Sequence, residues 1–191
     1  NGDAGYYSHI IVHKDSPYQN LDDILKCDKL LDFGIGDPNS TSGYLVPLVE
    51  IPKEIGMNME EYFAEVKFTG GHEQTIVAVN NGDVQAGVSW ADGLGNWEDG
   101  YNSGALRKAV DAGLVDMNDL VEIWKSSPIP EGPVVLRRAL PDDVKTKMID
   151  LVKGLHAKDA ECAYGVAAGE TAGFAPVTHD AYATIIEVRK V

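Results

Sequence analysis

The stretch Leu30-Leu31-Asp32-Phe33-Gly34-Ile35-Gly36-Asp37-Pro38-Asn39-Ser40-Thr41-Ser42-Gly43-Tyr44-Leu45-Val46-Pro47-Leu48 decides the fold. Its apolar opening, residues 30–35, has the length of a buried strand. The Asp-Pro-Asn turn breaks that strand, and the pattern after it predicts a helix from about Thr41 to Glu50. The first N–H groups of a helix have no partner inside it, and the helix dipole places partial positive charge there. A helix opening at a strand end can therefore hold an oxyanion without a lysine. An ordinary N-cap needs one hydroxyl. Ser40, Thr41 and Ser42 offer three, followed by Gly43, and this excess points to an anion cradle.

Working outward, strands and helices alternate. His9–His13 reads as a strand and Asn20–Cys27 as a short helix. Pro52 and Gly56 punctuate a loop, after which Met59–Phe63 reads as a brief helix and Ala64–Phe68 as a half-buried strand. Gly70-Gly71-His72-Glu73 is a second tight turn, leading into a helix over Gln74–Asn80 and a strand over Val84–Val88. This order suits βαβ units and a mostly parallel sheet. In open sheets of that kind ligands lie beyond the carboxyl ends of the strands, where both special turns fall.

Residues 90–104, rich in Gly, Asp, Asn and aromatics, read as an irregular loop. A helix over 105–112 and a strand over 120–124 follow. The proline-stiffened connector Ser126–Pro133 is the best candidate for a boundary. Beyond it the pattern predicts a strand over Val134–Arg137, an amphipathic helix over Pro141–His156, and a last helix near His179–Lys190.

The chain has 191 residues, 44% of them apolar, with 16 basic and 30 acidic side chains and a net charge of −14. A chain this acidic repels nucleic acid and anionic membranes, so neither is an expected partner. An anion bound here must be held by local dipoles against the overall field. Cys27 and Cys162 are the only cysteines, too few for a zinc site or a disulfide framework. Whether they pair cannot be read from their positions. No apolar run reaches the ~20 residues of a membrane span. The start, Asn1-Gly2-Asp3-Ala4-Gly5, lacks Met and looks like a cut inside a longer protein, so the absence of a signal peptide from it says nothing about compartment.

Several motifs begin and fail. Gly34-Ile35-Gly36 opens a dinucleotide fingerprint, but Asn39 stands in place of its third glycine. No lysine accompanies the hydroxyl turn as a P-loop requires. His72-Glu73 lacks the second histidine of a zinc-protease helix, and Asp92–Asp99 breaks the calcium-loop spacing. No cofactor and no metal is expected. Ser40, His72 and Asp92 could form a hydrolytic triad, yet the nucleophile elbow G-x-S-x-G is absent.

Together these residues resemble the periplasmic solute-binding proteins of ABC importers for phosphonate, phosphite and phosphate. The resemblance is carried by Gly5-Tyr6-Tyr7-Ser8 with His13–Pro17, by Gly36–Gly43 with Pro47, and by Gly71-His72-Glu73 with Ala78–Val84. It continues through Ile123–Ser126, Pro128-Ile129-Pro130, Pro133, Leu140-Pro141 and Lys145. It implies an α/β, periplasmic-binding-protein-like fold of type II, with two lobes, mixed and mostly parallel sheets, and a first lobe incomplete in this chain. Residues 1–12 would be a crossing segment and part of lobe 1. Residues 13–125 would form lobe 2, and residues 126–191 the hinge return with the C-terminal part of lobe 1.

The implied function is capture of a small phosphorus oxyanion in the periplasm for a membrane permease, by closure and without catalysis. The ligand-binding residues would be Tyr6, Ser40, Thr41, Ser42 and His72, with Asp92 facing an amine on the ligand. Where aminoethylphosphonate binders of the family carry a second acid, this chain has Gly132, with Glu131 beside it. Two other classes stay open: a hydrolase using Ser40 and His72, and a ligand-sensing module on the same fold. Read alone, Tyr6 and Tyr7 are core aromatics, His72 is a capping residue, and Asp92 is a helix cap or solvated acid. Trp90, Trp97 and Trp124 read as packing between sheet and helices.

Overall fold

Apolar residues at every position from Ile10 to Val12 mean that both faces of this strand must be covered, which places it inside a sheet. In the computed structural model, which describes residues 5–26, 29–167 and 169–189, that strand is β1 (Tyr7–His13). It is joined in one sheet by β2 (Asp32–Ile35), β3 (Glu65–Phe68), β4 (Ala86–Ala91) and β5 (Leu120–Lys125), in the order β3-β2-β4-β1-β5. β2 pairs in parallel with β3 and β4, whereas β1 runs antiparallel to both β4 and β5. The sheet is thus mixed, with parallel pairing in half of its contacts and not in most. The insertion of β1 against the common direction is the reason.

Helices cover both faces. Ile24 of α1 (Leu21–Ile24), Ile51 of α2 (Val46–Ile55) and Met59 and Tyr62 of α3 (Met59–Tyr62) pack with Ile10, Val12 and Phe33 on one side. Ile76 and Val79 of α4 (His72–Asn81) and Leu106 and Ala109 of α5 (Ala105–Asp111) pack with Ile11 on the other. α4 lies close because Gly87 of β4 has no side chain: a Cβ there would stand 2.5 Å from the Thr75 methyl.

Three expectations need correction. The helix after the hydroxyl turn does not end at Pro52 but runs through it to Ile55. Pro52 removes only one internal N–H, buried Ile51 anchors the last turns, and Gly56 in the left-handed region closes them. The strand expected at Val84–Val88 starts at Ala86 and extends to Ala91, because Gln85 turns aside to bond both backbone groups of Asp32. Residues Val134–Arg137 form no strand: Pro133 withholds an N–H, and Val134 and Val135 are exposed with no neighbouring strand among the described residues.

By the density of contacts, the described residues fall into two units. The sheet unit comprises residues 5–129 with 183–189, where α8 (Ala183–Val188) lies; the other comprises residues 130–182. That second unit holds α6 (Asp142–Lys158) and α7 (Ala160–Ala167), joined by a tilted contact between His156 and Tyr164, with Tyr182 donating to the Glu131 carbonyl. Met148, Ile149 and Leu151 of α6 are exposed. Cys162 is exposed, while Cys27, and with it any pairing of the two, lies outside the described residues. No helix among them is long and apolar enough to cross a membrane.

Candidate anion-binding site

The strand directions gather the site at one edge of the sheet. Because β2, β3 and β4 run parallel and β1 runs against them, the carboxyl ends of the first three meet the start of β1 there. β5, antiparallel to β1, ends at the same edge.

At the end of β2 the chain builds the hydroxyl turn from its own side chains. The Asp37 carboxylate accepts from the Asn39 N–H at 2.7 Å and its carbonyl from the Ser40 N–H at 2.8 Å, an Asx turn. Ser40 then caps the helix: its Oγ accepts from the Gly43 N–H at 3.0 Å. The first helical turn, Thr41–Leu45, is wound as a π-helix, with the Leu45 N–H reaching the Ser40 carbonyl and the Val46 N–H reaching that of Thr41. Among the described residues no protein acceptor takes the N–H of Thr41 or of Ser42. The wide turn thus presents donors with no internal use, at the end of a helix where partial positive charge collects.

His72 is delivered to this turn by the end of β3. The Thr69 hydroxyl bonds the Ile35 carbonyl at 2.8 Å and lies 2.5 Å from the Thr75 hydroxyl, which in turn bonds the Gly71 carbonyl. α4 consequently starts at His72 itself, two residues earlier than expected, with its ring beside the cradle. His72 Nε2 lies 3.1 Å from Ser40 Oγ. Gly43 makes the approach possible, since a Cβ there would stand 2.7 Å from His72 Cε1.

Burial is the main cause holding His72 far below the usual histidine range, at about 4; Lys108 adds to the effect and Glu73 opposes it. The ring is therefore neutral near pH 7, and only one of its nitrogens carries a proton. Its Nδ1 is buried with no protein partner. If Ser40 donates to Nε2, the ring proton sits on buried Nδ1; if Nε2 donates, the Ser40 hydroxyl hydrogen is free to turn elsewhere. Either tautomer leaves one polar hydrogen without a protein acceptor.

Tyr6 joins the site through Trp90: the two rings meet edge to face at 5.3 Å, and Trp90 meets His72 at 6.3 Å. Trp90, read from sequence as packing, is the bridge between these residues. Asp92 follows β4 at the same edge of the sheet. Its carboxylate accepts from the Leu94 N–H and the Ser103 hydroxyl, each at 3.1 Å, which fixes its rotamer while leaving lone pairs open. It makes no bond to His72, whose second nitrogen lacks any orienting acid. Because Ser40 Oγ also serves as the helix cap, the geometry is not that of a hydrolytic triad.

A second polar group lies deeper, where His9 Nδ1 contacts Glu122 and the Tyr101 hydroxyl donates to the same carboxylate at 3.0 Å. Burial alone would raise Glu122, but the His9 and Tyr101 contacts outweigh it and hold it low. Burial and Glu122 together push the Tyr101 phenol up. Its partners come from three distant segments, which is why no local motif announced it.

The model of the family described as "ABC transporter, phosphonate, periplasmic substrate-binding protein" matches residues 1–182, and the chain belongs to that family. It is 36% identical over 150 residues to the phosphonates-binding periplasmic protein of Escherichia coli K12, covering 78% of this chain and 40% of that protein. It is 28% identical over 130 residues to the phosphate-import protein PhnD of Mycolicibacterium smegmatis, covering 65% of this chain and 36% of that one. The chain thus spans about two fifths of the length of these curated relatives. Among solved structures, the binding-protein component of a phosphonate ABC transporter from Pseudomonas aeruginosa superimposes with a TM-score of 0.70. The identity is 29%, over 98% of this chain and 58% of that one. The fold is accordingly the α/β fold of type II periplasmic binding proteins.

Proposed function

We propose that this member of the periplasmic phosphonate-binding family captures a small phosphorus oxyanion outside the cytoplasm and hands it to the permease of an ABC importer. The observation that carries this reading is the cradle. The N–H groups of Thr41 and Ser42 are left unpaired by the turn, and Ser40 with the neutral, buried His72 keeps between them one polar hydrogen that no protein acceptor takes. Such a site supplies donors without a cation, which suits a tetrahedral oxyanion.

Ser40, Thr41, Ser42 and His72 would hold the phosphorus oxygens, Tyr6 would donate from the far side of Trp90, and Asp92 would face an ammonium on the ligand's other end. Residues 13–125 would form the second lobe of the full protein, with 1–12 crossing into it and 126–191 returning to the first. A signal peptide ahead of this segment would carry the protein to the periplasm.

Calorimetry with methylphosphonate, phosphite, phosphate and sulfate tests the reading. Thr41→Val and His72→Ala each remove one donor to a charged ligand, so each should weaken every phosphorus ligand by roughly 10–100-fold. Asp92→Asn should weaken 2-aminoethylphosphonate and leave methylphosphonate unchanged. Equal losses for both ligands would remove Asp92 from its assigned role, and no binding of any phosphorus oxyanion by the wild type would overturn the whole proposal.

A further inference from the structure

We infer that Ser8 is a positioning residue for the anion turn: its hydroxyl stands in for a backbone donor that Pro47 takes away. In an α-helix the Ser42 carbonyl would accept from the N–H of residue 46, and in a π-turn from that of residue 47. Here the Val46 N–H goes to Thr41, and residue 47 is proline, which has no N–H. Ser42 is buried, so water does not serve its carbonyl. A buried carbonyl without a donor is costly, and the fold supplies one from far along the chain. Ser8 Oγ, fully buried on β1, donates to it at 2.6 Å.

That bond sets more than one atom. The Ser42 carbonyl and the Gly43 N–H belong to one planar peptide. Ser8 holds the first and Ser40 Oγ the second, so the plane is fixed at both ends. The Gly43 carbonyl is fixed as well, by the Gly36 N–H at 2.8 Å. The Ser42 N–H lies in the preceding peptide, whose Thr41 carbonyl is tied to the Val46 N–H, so with the planes on both sides of the Ser42 Cα held its direction is set. Ser8 is itself held by the segment after β5: its N–H donates to Ser126 Oγ at 3.0 Å, and the Ser126 N–H donates to its carbonyl at 2.9 Å. Ser127 of the same segment bonds Glu50 of α2 through its N–H and its hydroxyl. The segment leaving the sheet therefore grips the anion helix at two points, its first turn through Ser8 and its body through Glu50.

This inference rests on the cradle reading for its functional consequence, but its geometry can be tested apart from any ligand. Ser8→Ala, Ser8→Thr and Ser126→Ala are compared with wild type by amide NMR without ligand, by calorimetry with methylphosphonate, and by thermal melting. Ser8→Ala should displace or broaden the Ser42 and Gly43 amide signals and weaken methylphosphonate about tenfold. Ser8→Thr, which keeps the hydroxyl, should restore both, and Ser126→Ala should give a milder form of the same change. Unchanged Ser42 and Gly43 signals in Ser8→Ala would overturn the inference, as would wild-type affinity in a variant that only melts earlier. Should Ser8→Ala fail to fold, Ser126→Ala decides by the same criteria. If wild type binds no phosphorus oxyanion, the function reading falls and the amide signals alone judge the role of Ser8.

Discussion

His72 illustrates how a single side chain is tuned by where the backbone puts it. Unfolding returns its ring to an ordinary pKa near 6.5, whereas burial, with Lys108 adding and Glu73 opposing, holds the folded value at about 4. Above pH 6.5 the ring is neutral in both states and contributes no pH dependence. As the pH falls from 6.5 toward 4, the unfolded chain takes up a proton that the folded chain refuses, so stability declines over that window. The loss attributable to this one ring should reach on the order of 3 kcal/mol near pH 4. Melting curves of wild type and His72→Gln between pH 4 and 8 would show it as a steeper slope in the first than in the second, since carboxylates held low in the fold, such as Glu122, add the same acid-side slope to both. An NMR titration of the ring with a midpoint above 6 would contradict the assignment. At this scale the sequence was partly legible. Three consecutive hydroxyls and a histidine after two glycines can be seen in a line of text, because the turn chemistry is local. Ser8 and Trp90 were not, since their partners Ser42 and Tyr6 lie 34 and 84 positions away and only the sheet brings them together.

The hydroxyl turn and α2 form one element whose winding the residue pattern could not reveal. The pattern predicts a helix near Thr41, and there is one, but its first turn is wound as a π-helix and its Ser42 carbonyl is served by the distant Ser8, neither of which a local pattern contains. The same blindness applies to the end of α2, where Pro52 looks like a stop and is carried through because its face is buried. Gly43 is where this element is tightest. In Gly43→Ala the new methyl would meet His72 Cε1 at 2.7 Å and Ser40 Oγ at 3.0 Å. The ring or the turn must shift, at a cost of about 1–3 kcal/mol, and methylphosphonate affinity should fall with it. A contrasting change is Gly165→Ala in the interior of α7, where a Cβ meets nothing within 4 Å. It should stabilise that helix by roughly 0.5–1 kcal/mol and leave ligand affinity unchanged. Finding the two substitutions equally harmful would mean that crowding at His72 is not what makes Gly43 necessary.

Across the whole molecule the alternation of strands and helices was readable, but the place of β1 was not. An apolar run buried on both faces says "central" and is silent on direction, and it is the reversed direction of β1 that brings Tyr6 and Ser8 to the edge where the hydroxyl turn lies. Charge acts at this scale too. The chain carries a net −14, with exposed Asp37 beside the cradle and Glu73 in the first turn of α4. On the proposed reading, an approaching anion is repelled at long range and attracted only at contact, by amides, hydroxyls and a neutral ring. Contact bonds to fixed dipoles are barely screened by salt, whereas the long-range field shrinks as the Debye length falls from about 30 Å at 0.01 M to about 8 Å at 0.15 M. Salt whose ions do not compete should therefore speed binding, by about two- to fivefold in the association rate over that range. This is the reverse of what a lysine- or arginine-built phosphate site shows. Stopped-flow association of phosphate at the two ionic strengths distinguishes them. A rate that falls with salt would mean that a cation, with Lys108 near His72 the first to examine, does the attracting in place of the turn.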